Sequence, residues 1–75
     1  SMGAKLAFGH ALEALKSGGK VRRAGWPSGW RWLELQPPAG EGSDAGMFVK
    51  SASEEYLPWS ACDFDLLAED WEVIA

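Results

Sequence analysis

Cysteine and histidine are almost missing: Cys62 and His10 are the only ones in 75 residues. One thiol cannot close a disulfide within the chain, and one thiol with one imidazole cannot complete a transition-metal set. A lone thiol is also the usage expected of a protein kept in a reducing cytoplasm. Basic charge is scarce as well. Seven Lys and Arg against eleven Asp and Glu leave a formal charge of −4, so the chain lacks the broad positive field that nucleic acid or an anionic membrane requires. Any anionic ligand has to be held locally. No apolar run approaches the roughly 20 residues of a membrane span, and no charged-then-apolar export segment leads the chain. No nucleophile, base and orienting group can be assembled, so binding without chemistry is expected, with no catalytic residue, metal or cofactor.

Size is the next shortage. By the usual scaling, folding a chain of this length removes roughly 7,200 Å² from water, about 60% of it apolar. At about 25 cal/mol per Å² that contributes roughly 108 kcal/mol. Ordering the chain costs about 110 kcal/mol. The two cancel, and with no disulfide or metal available, self-association is the expected extra source of stability. A homo-oligomer is therefore expected.

Residues 1–3 read as a processing remnant ahead of a single domain over 4–75. "LAFGHALEALKSGGK" reads as one amphipathic helix, with Phe8, Ala11, Leu12 and Leu15 at helical spacing. Gly18 and Gly19 end it, because glycine adopts the left-handed conformation needed past a helix terminus. His10 falls on the exposed face and takes no role. "KVRRAGW" has the length of a strand, with Gly25 suggesting a bulge or a close backbone approach, and "WPSG" has turn chemistry. "WRWLELQ" alternates: Arg31, Leu33 and Leu35 share one face, leaving Trp30, Trp32 and Glu34 on the other. Residues 37–46 are a loop rich in Pro, Gly and small polar residues. "MFVKSA" is a short strand, Pro58 marks a turn before a short helical stretch, and "WEVIA" closes the chain as a strand. The fold class is α+β, one N-terminal helix packed on a small, mostly antiparallel β-sheet whose second face nothing covers.

Three tryptophans and three arginines crowd into "RRAGWPSGWRW", residues 22–32. Trp26, Trp30, Trp32 and Trp59 carry large rings that either fill the core or mark an interface or groove. Arg22, Arg23 and Arg31 offer forks that bind phosphate bidentately and stack on planar rings, although each could instead pair with a carboxylate of the chain. Ring surfaces beside guanidinium groups are what a nucleotide site needs. Asp63, Asp65, Glu69 and Asp70 are hard oxygen donors, but without the glycine and periodicity of a calcium loop they read as solvated or capping groups. An aspartate here also suits ribose hydroxyls or a base edge.

"FGHALEALKSGGKVRRAGW" followed by "LPWSACDFDLLAEDWEVI" resembles the second type of Thoeris anti-defence protein, a family of small phage and prophage domains. The resemblance rests on Phe8-Gly9 and Ala11-Leu12, on Gly19-Lys20-Val21-x-Arg23-x-Gly25-Trp26, on Pro58-Trp59 with Asp65 six residues later, and on Leu67-Ala68-x-Asp70-Trp71. The chain departs from the family pattern at Pro27-Ser28-Gly29-Trp30, at Cys62-Asp63-Phe64, and in its shortened loop after Gln36. The resemblance implies a non-catalytic sponge, homo-oligomeric and commonly tetrameric, acting in the cytoplasm of the bacterial host. Such a protein sequesters the cyclic ADP-ribose-type signal of a bacterial immune enzyme without cleaving it, and some members also take up cyclic dinucleotides. On that footing pockets lie between subunits. Arg22 and Arg23 neutralise phosphate, Trp26 and Trp59 stack on the base or wall the pocket, Asp65 takes a ribose or base hydrogen bond, and Trp30 and Arg31 complete the set. Trp71 and Leu67 are expected in core or subunit packing. The alternative is an interaction module that docks a host or virion protein through an exposed aromatic face.

Overall fold

The computed structural model describes residues 5–75, so the reading of residues 1–3 as a remnant falls outside it. Helix α1 spans Phe8–Lys16, followed by strands β1 (Val21–Arg23), β2 (Trp30–Gln36), β3 (Gly46–Ser51) and β4 (Tyr56–Pro58), a short helix α2 (Asp63–Leu67) and strand β5 (Trp71–Val73). The strands form one antiparallel sheet in the order β4-β3-β2-β1-β5. This is the α+β architecture expected of the pattern, a helix against an antiparallel sheet.

Helix α1 stops where the sequence says it should, and the two glycines serve different ends. Gly18 takes φ +90°, the left-handed position just past the terminus, and its N–H bonds the Leu15 carbonyl at 3.0 Å. Gly19 is there for space: a Cβ at this position would lie 2.8 Å from the Ala75 carbonyl oxygen and 3.0 Å from that of Ala14. Both obstacles are backbone, so no larger residue fits without a shift.

One row of residues runs across all five strands on the helix side: Val73, Val21, Leu33, Val49 and Leu57 occupy paired positions. The middle three are fully buried and the two on the edge strands are half-exposed. Ala11 and Leu15 of α1 press on this row, and Trp71, completely buried, packs beside it. Each fully buried large side chain here contributes about 1.5–3 kcal/mol.

The register corrects the expected strand faces at one point. Trp30 pairs with Ser51, but Trp32 pairs with Lys50, so Arg31 is an extra residue on β2 opposite none on β3. This bulge breaks the alternation. Trp30 is turned to the helix side, half-buried against Trp26 with ring centroids 5.2 Å apart, while Trp32 and Glu34 keep the opposite face and Arg31, expected with the leucines, lies over the Trp32 ring there. Three smaller corrections follow from packing. Gly25 lies in a turn after β1, not in a strand bulge, and of its two expected uses it serves the close approach: a Cβ there would lie 3.2 Å from Asp70 Oδ2. Pro58 ends a true strand, which is admissible because β4 is an edge and its missing N–H has no ladder to break. Leu67 is 80% exposed on α2, so of the two packing roles expected of it the core is excluded.

Candidate functional site

The residues singled out in the sequence divide between two surfaces. On the helix side, the motif residues from the two ends of the chain converge. Arg23, on β1, donates from Nε to Asp70 Oδ1 at 2.7 Å and from Nη1 to Asp65 Oδ1 at 3.0 Å. Asp70 also accepts the Gly25 N–H at 3.0 Å on its second oxygen. Asp65 accepts the Cys62 N–H and thiol at 3.4 and 3.3 Å, and its own carbonyl takes the Trp71 indole N–H at 3.0 Å. The triad ties the start of α2 and the start of β5 to the end of β1.

Electrostatics fix what this triad can do. Burial pushes the Asp65 carboxyl up, but hydrogen bonds from Arg23, Cys62 and Trp26 together outweigh it and hold the group below the usual carboxylate range. The Arg23 hydrogen bond, against a smaller opposing effect of burial, does the same for Asp70. One guanidinium thus meets two ionised carboxylates, leaving an excess negative charge where a phosphate would have to approach. Trp26 is buried beside the triad. Trp59 and Trp30 are half-buried at the rim of the same aromatic cluster, with Trp59 centred 6.3 Å from Trp26 and 6.1 Å from Trp71. Arg23 and Asp65 lie together beside Trp26, but their polar atoms are directed mainly at each other and at Asp70.

Arg22 and Arg31 lie with the opposite face of the sheet. Side chains alternate, so Arg22 points away from the helix, opposite Glu72 on β5. Val21 pairs with Leu33, and one step along the register places Arg22 beside Trp32. Trp32 in turn pairs with Lys50, and Lys50 with Tyr56. The second row across the sheet therefore reads Glu72, Arg22, Trp32, Lys50, Tyr56. Cations sit on both rings: Lys20 Nζ is 4.5 Å and Arg31 Cζ 5.0 Å from the Trp32 centroid, and Lys50 Nζ is 4.3 Å from that of Tyr56. The Trp32 indole N–H donates to Glu34 at 2.8 Å, which fixes the ring.

The cations differ in commitment. Arg31 donates to Glu54 at 2.6 Å, and Lys50, only 13% exposed, reaches the same carboxylate at 3.3 Å. Glu54 occupies the turn between β3 and β4 at φ +69°. Lys20 and Arg22 have no carboxylate within ion-pair distance among the described residues. Sequence reasoning missed Lys20, Lys50 and Tyr56 because they join the row around Trp32 only through the strand register. Asp63 and Glu69 are exposed, and among the described residues no group of His, Cys, Asp and Glu could hold a metal ion. No described helix is long and apolar enough to cross a membrane.

Fold and sites define a small α+β protein: one long helix closes one face of a five-stranded antiparallel sheet, and a row of cations and aromatic rings occupies the other. Residues 6–74 match the family described as the Thoeris anti-defense 2-like domain. The chain is 33% identical over 89 residues to the protein named "Thoeris anti-defense 2" of Bacillus phage SP01, across 99% of this chain and 100% of that protein. It belongs to the Thoeris anti-defense 2-like family, and an anti-defence role comes with that membership.

Proposed function

We propose that the protein is a non-catalytic sponge that binds and holds a cyclic ADP-ribose-type signal, with cyclic dinucleotides as a second ligand class, inside the bacterial cytoplasm. The observation that carries this reading is the row Arg22, Trp32, Lys50 on the open sheet face: guanidinium and ammonium groups beside a fixed indole ring. Phosphate oxygens meet Arg22 and Lys20, which have no internal carboxylate partner, and the base lies against Trp32. Arg31 and Lys50 flank it. Arg23, Asp65 and Trp26 serve as the frame behind the sheet, and the half-buried rims of Trp30 and Trp59 supply a contact for a neighbouring copy. The assembly we propose is a homo-oligomer, a tetramer ahead of a dimer.

Calorimetry with cyclic ADP-ribose isomers and cyclic dinucleotides tests this. At least one ligand should bind, and Arg22→Ala should weaken it by about 1.5–3 kcal/mol, the value of a charge-assisted hydrogen bond. Ligand recovered from heat-denatured complex should be chemically intact. No heat from any ligand, or a cleaved product, overturns the reading.

A second reading, a module that docks a host or virion protein, is favoured by Phe64 and Leu67, which are 82% and 80% exposed three residues apart on α2. Replacing both with serine should abolish capture of such a partner while leaving nucleotide heat untouched.

A further inference from the structure

Resting on the nucleotide reading, we propose that Trp32, with Lys20 and Arg31 over its ring, is a capped platform: the ring becomes available to a base when phosphate draws the movable cap, Lys20, off it. In the free protein both cations lie over the indole, at 4.5 and 5.0 Å from its centroid. A bare base must therefore compete with them for the π surface. The two caps are not held alike. Arg31 is also gripped by Glu54, whereas Lys20 has the ring but no carboxylate among the described residues. Lys20 stands one residue before β1, next to Arg22's strand position, so its flexible stem can carry the ammonium from ring to phosphate. Lys50, mostly buried between Glu54 and Tyr56, stays in place.

This arrangement couples two events. A nucleoside has a base but nothing to attract the cations; inorganic pyrophosphate attracts the cations but has no base. A ligand with both opens the ring and fills it in one step, so selectivity for base-plus-phosphate exceeds what two independent contacts would supply. The row also suits a free nucleotide better than a strand, because Glu72 and Glu34 border it.

The discriminating variant is Lys20→Ala, titrated by calorimetry with adenosine, inorganic pyrophosphate, linear ADP-ribose and cyclic ADP-ribose. The expected result has opposite signs: adenosine binds about threefold or more tighter, because a cap is gone, while pyrophosphate binds about tenfold weaker. Trp32→Leu should remove adenosine binding in both backgrounds. If Lys20→Ala weakens adenosine and pyrophosphate together, or changes neither, the cap is wrong although the nucleotide reading stands. If the wild type binds no ADP-ribose form, no cyclic dinucleotide and no pyrophosphate, the nucleotide reading fails and takes this one with it. A short oligothymidylate binding as tightly as ADP-ribose would also overturn it, by assigning the face to single strands.

Discussion

Arg23→Ala is the substitution whose outcome most clearly separates a frame from a ligand contact. The wild-type guanidinium is matched by two carboxylates at 2.7 and 3.0 Å, with side-chain exposures of 22% for Arg23, 12% for Asp65 and 26% for Asp70. Removing it leaves two carboxylates, both largely withdrawn from water, without a cation. Stripping one partner from a buried ion pair costs about 3–5 kcal/mol, and the remaining exposure of this triad brings that to about 2–4 kcal/mol. A domain of this length has only about 4–11 kcal/mol in total, so the melting temperature should fall by roughly 10–30 °C. The pH dependence gives a sharper reading. In the wild type both carboxyls titrate below 3.8, their value in the unfolded chain, so their stabilisation is complete above that pH and is lost as pH falls through the lower, folded values. In the variant, burial and mutual repulsion push the pair above 3.8, so protonation now favours the folded state. The gap between the two proteins should therefore narrow between pH 7 and pH 4.5, by part of the about 1.4 kcal/mol per unit of raised pKa that is complete only below the unfolded value. Urea unfolding at the two pH values measures it. A difference below about 0.5 kcal/mol that does not change with pH would refute the frame and return Arg23 to the ligand.

Gly19→Ala should destabilise strongly, by about 2 kcal/mol or more, because its Cβ would meet two carbonyl oxygens; Gly18→Ala, which meets open space but keeps a left-handed φ, should cost about 1 kcal/mol. Denaturant midpoints rank the two. At Glu54, in the left-handed region at φ +69°, glycine should be at least as stable as the wild type, whereas Glu54→Val should lose about 1–2 kcal/mol. The lost ion pairs to Arg31 and Lys50 matter little there, since Glu54 is 65% exposed. Leu33→Ala, at the centre of the buried row, should cost about 2–5 kcal/mol by thermal melt.

The parts of the fold written in local pattern were legible. The spacing of Ala11 and Leu15, the glycine stop and the Leu33–Leu35 face all follow from neighbours within a few residues. What escaped the pattern depends on distant partners. Alternation along β2 cannot reveal a bulge at Arg31, because the extra residue is defined only against β3, and so strict alternation puts Trp30 and Arg31 on the wrong faces. Pro58 reads as a turn until β4 is known to be an edge. The site divided in the same way: the arginines and tryptophans were visible, but not that Arg23 finds its carboxylates 42 and 47 positions on, or that Lys20 covers Trp32.

Strand β1 has three residues and sits inside the sheet, with β2 on one side and β5, near the other end of the chain, on the other. That placement sets an order of events in synthesis. When α1 and β1 leave the ribosome, the strand that completes their sheet and the Trp71 that seals their core do not yet exist. The long loop between residues 23 and 71 must close late, and its entropy is recovered only when Asp65, Asp70 and Trp71 arrive together. Until then the Trp-rich turn is a solvent-exposed apolar segment, so C-terminal truncations that remove β5 should appear as aggregation during expression, before any loss of function can be measured.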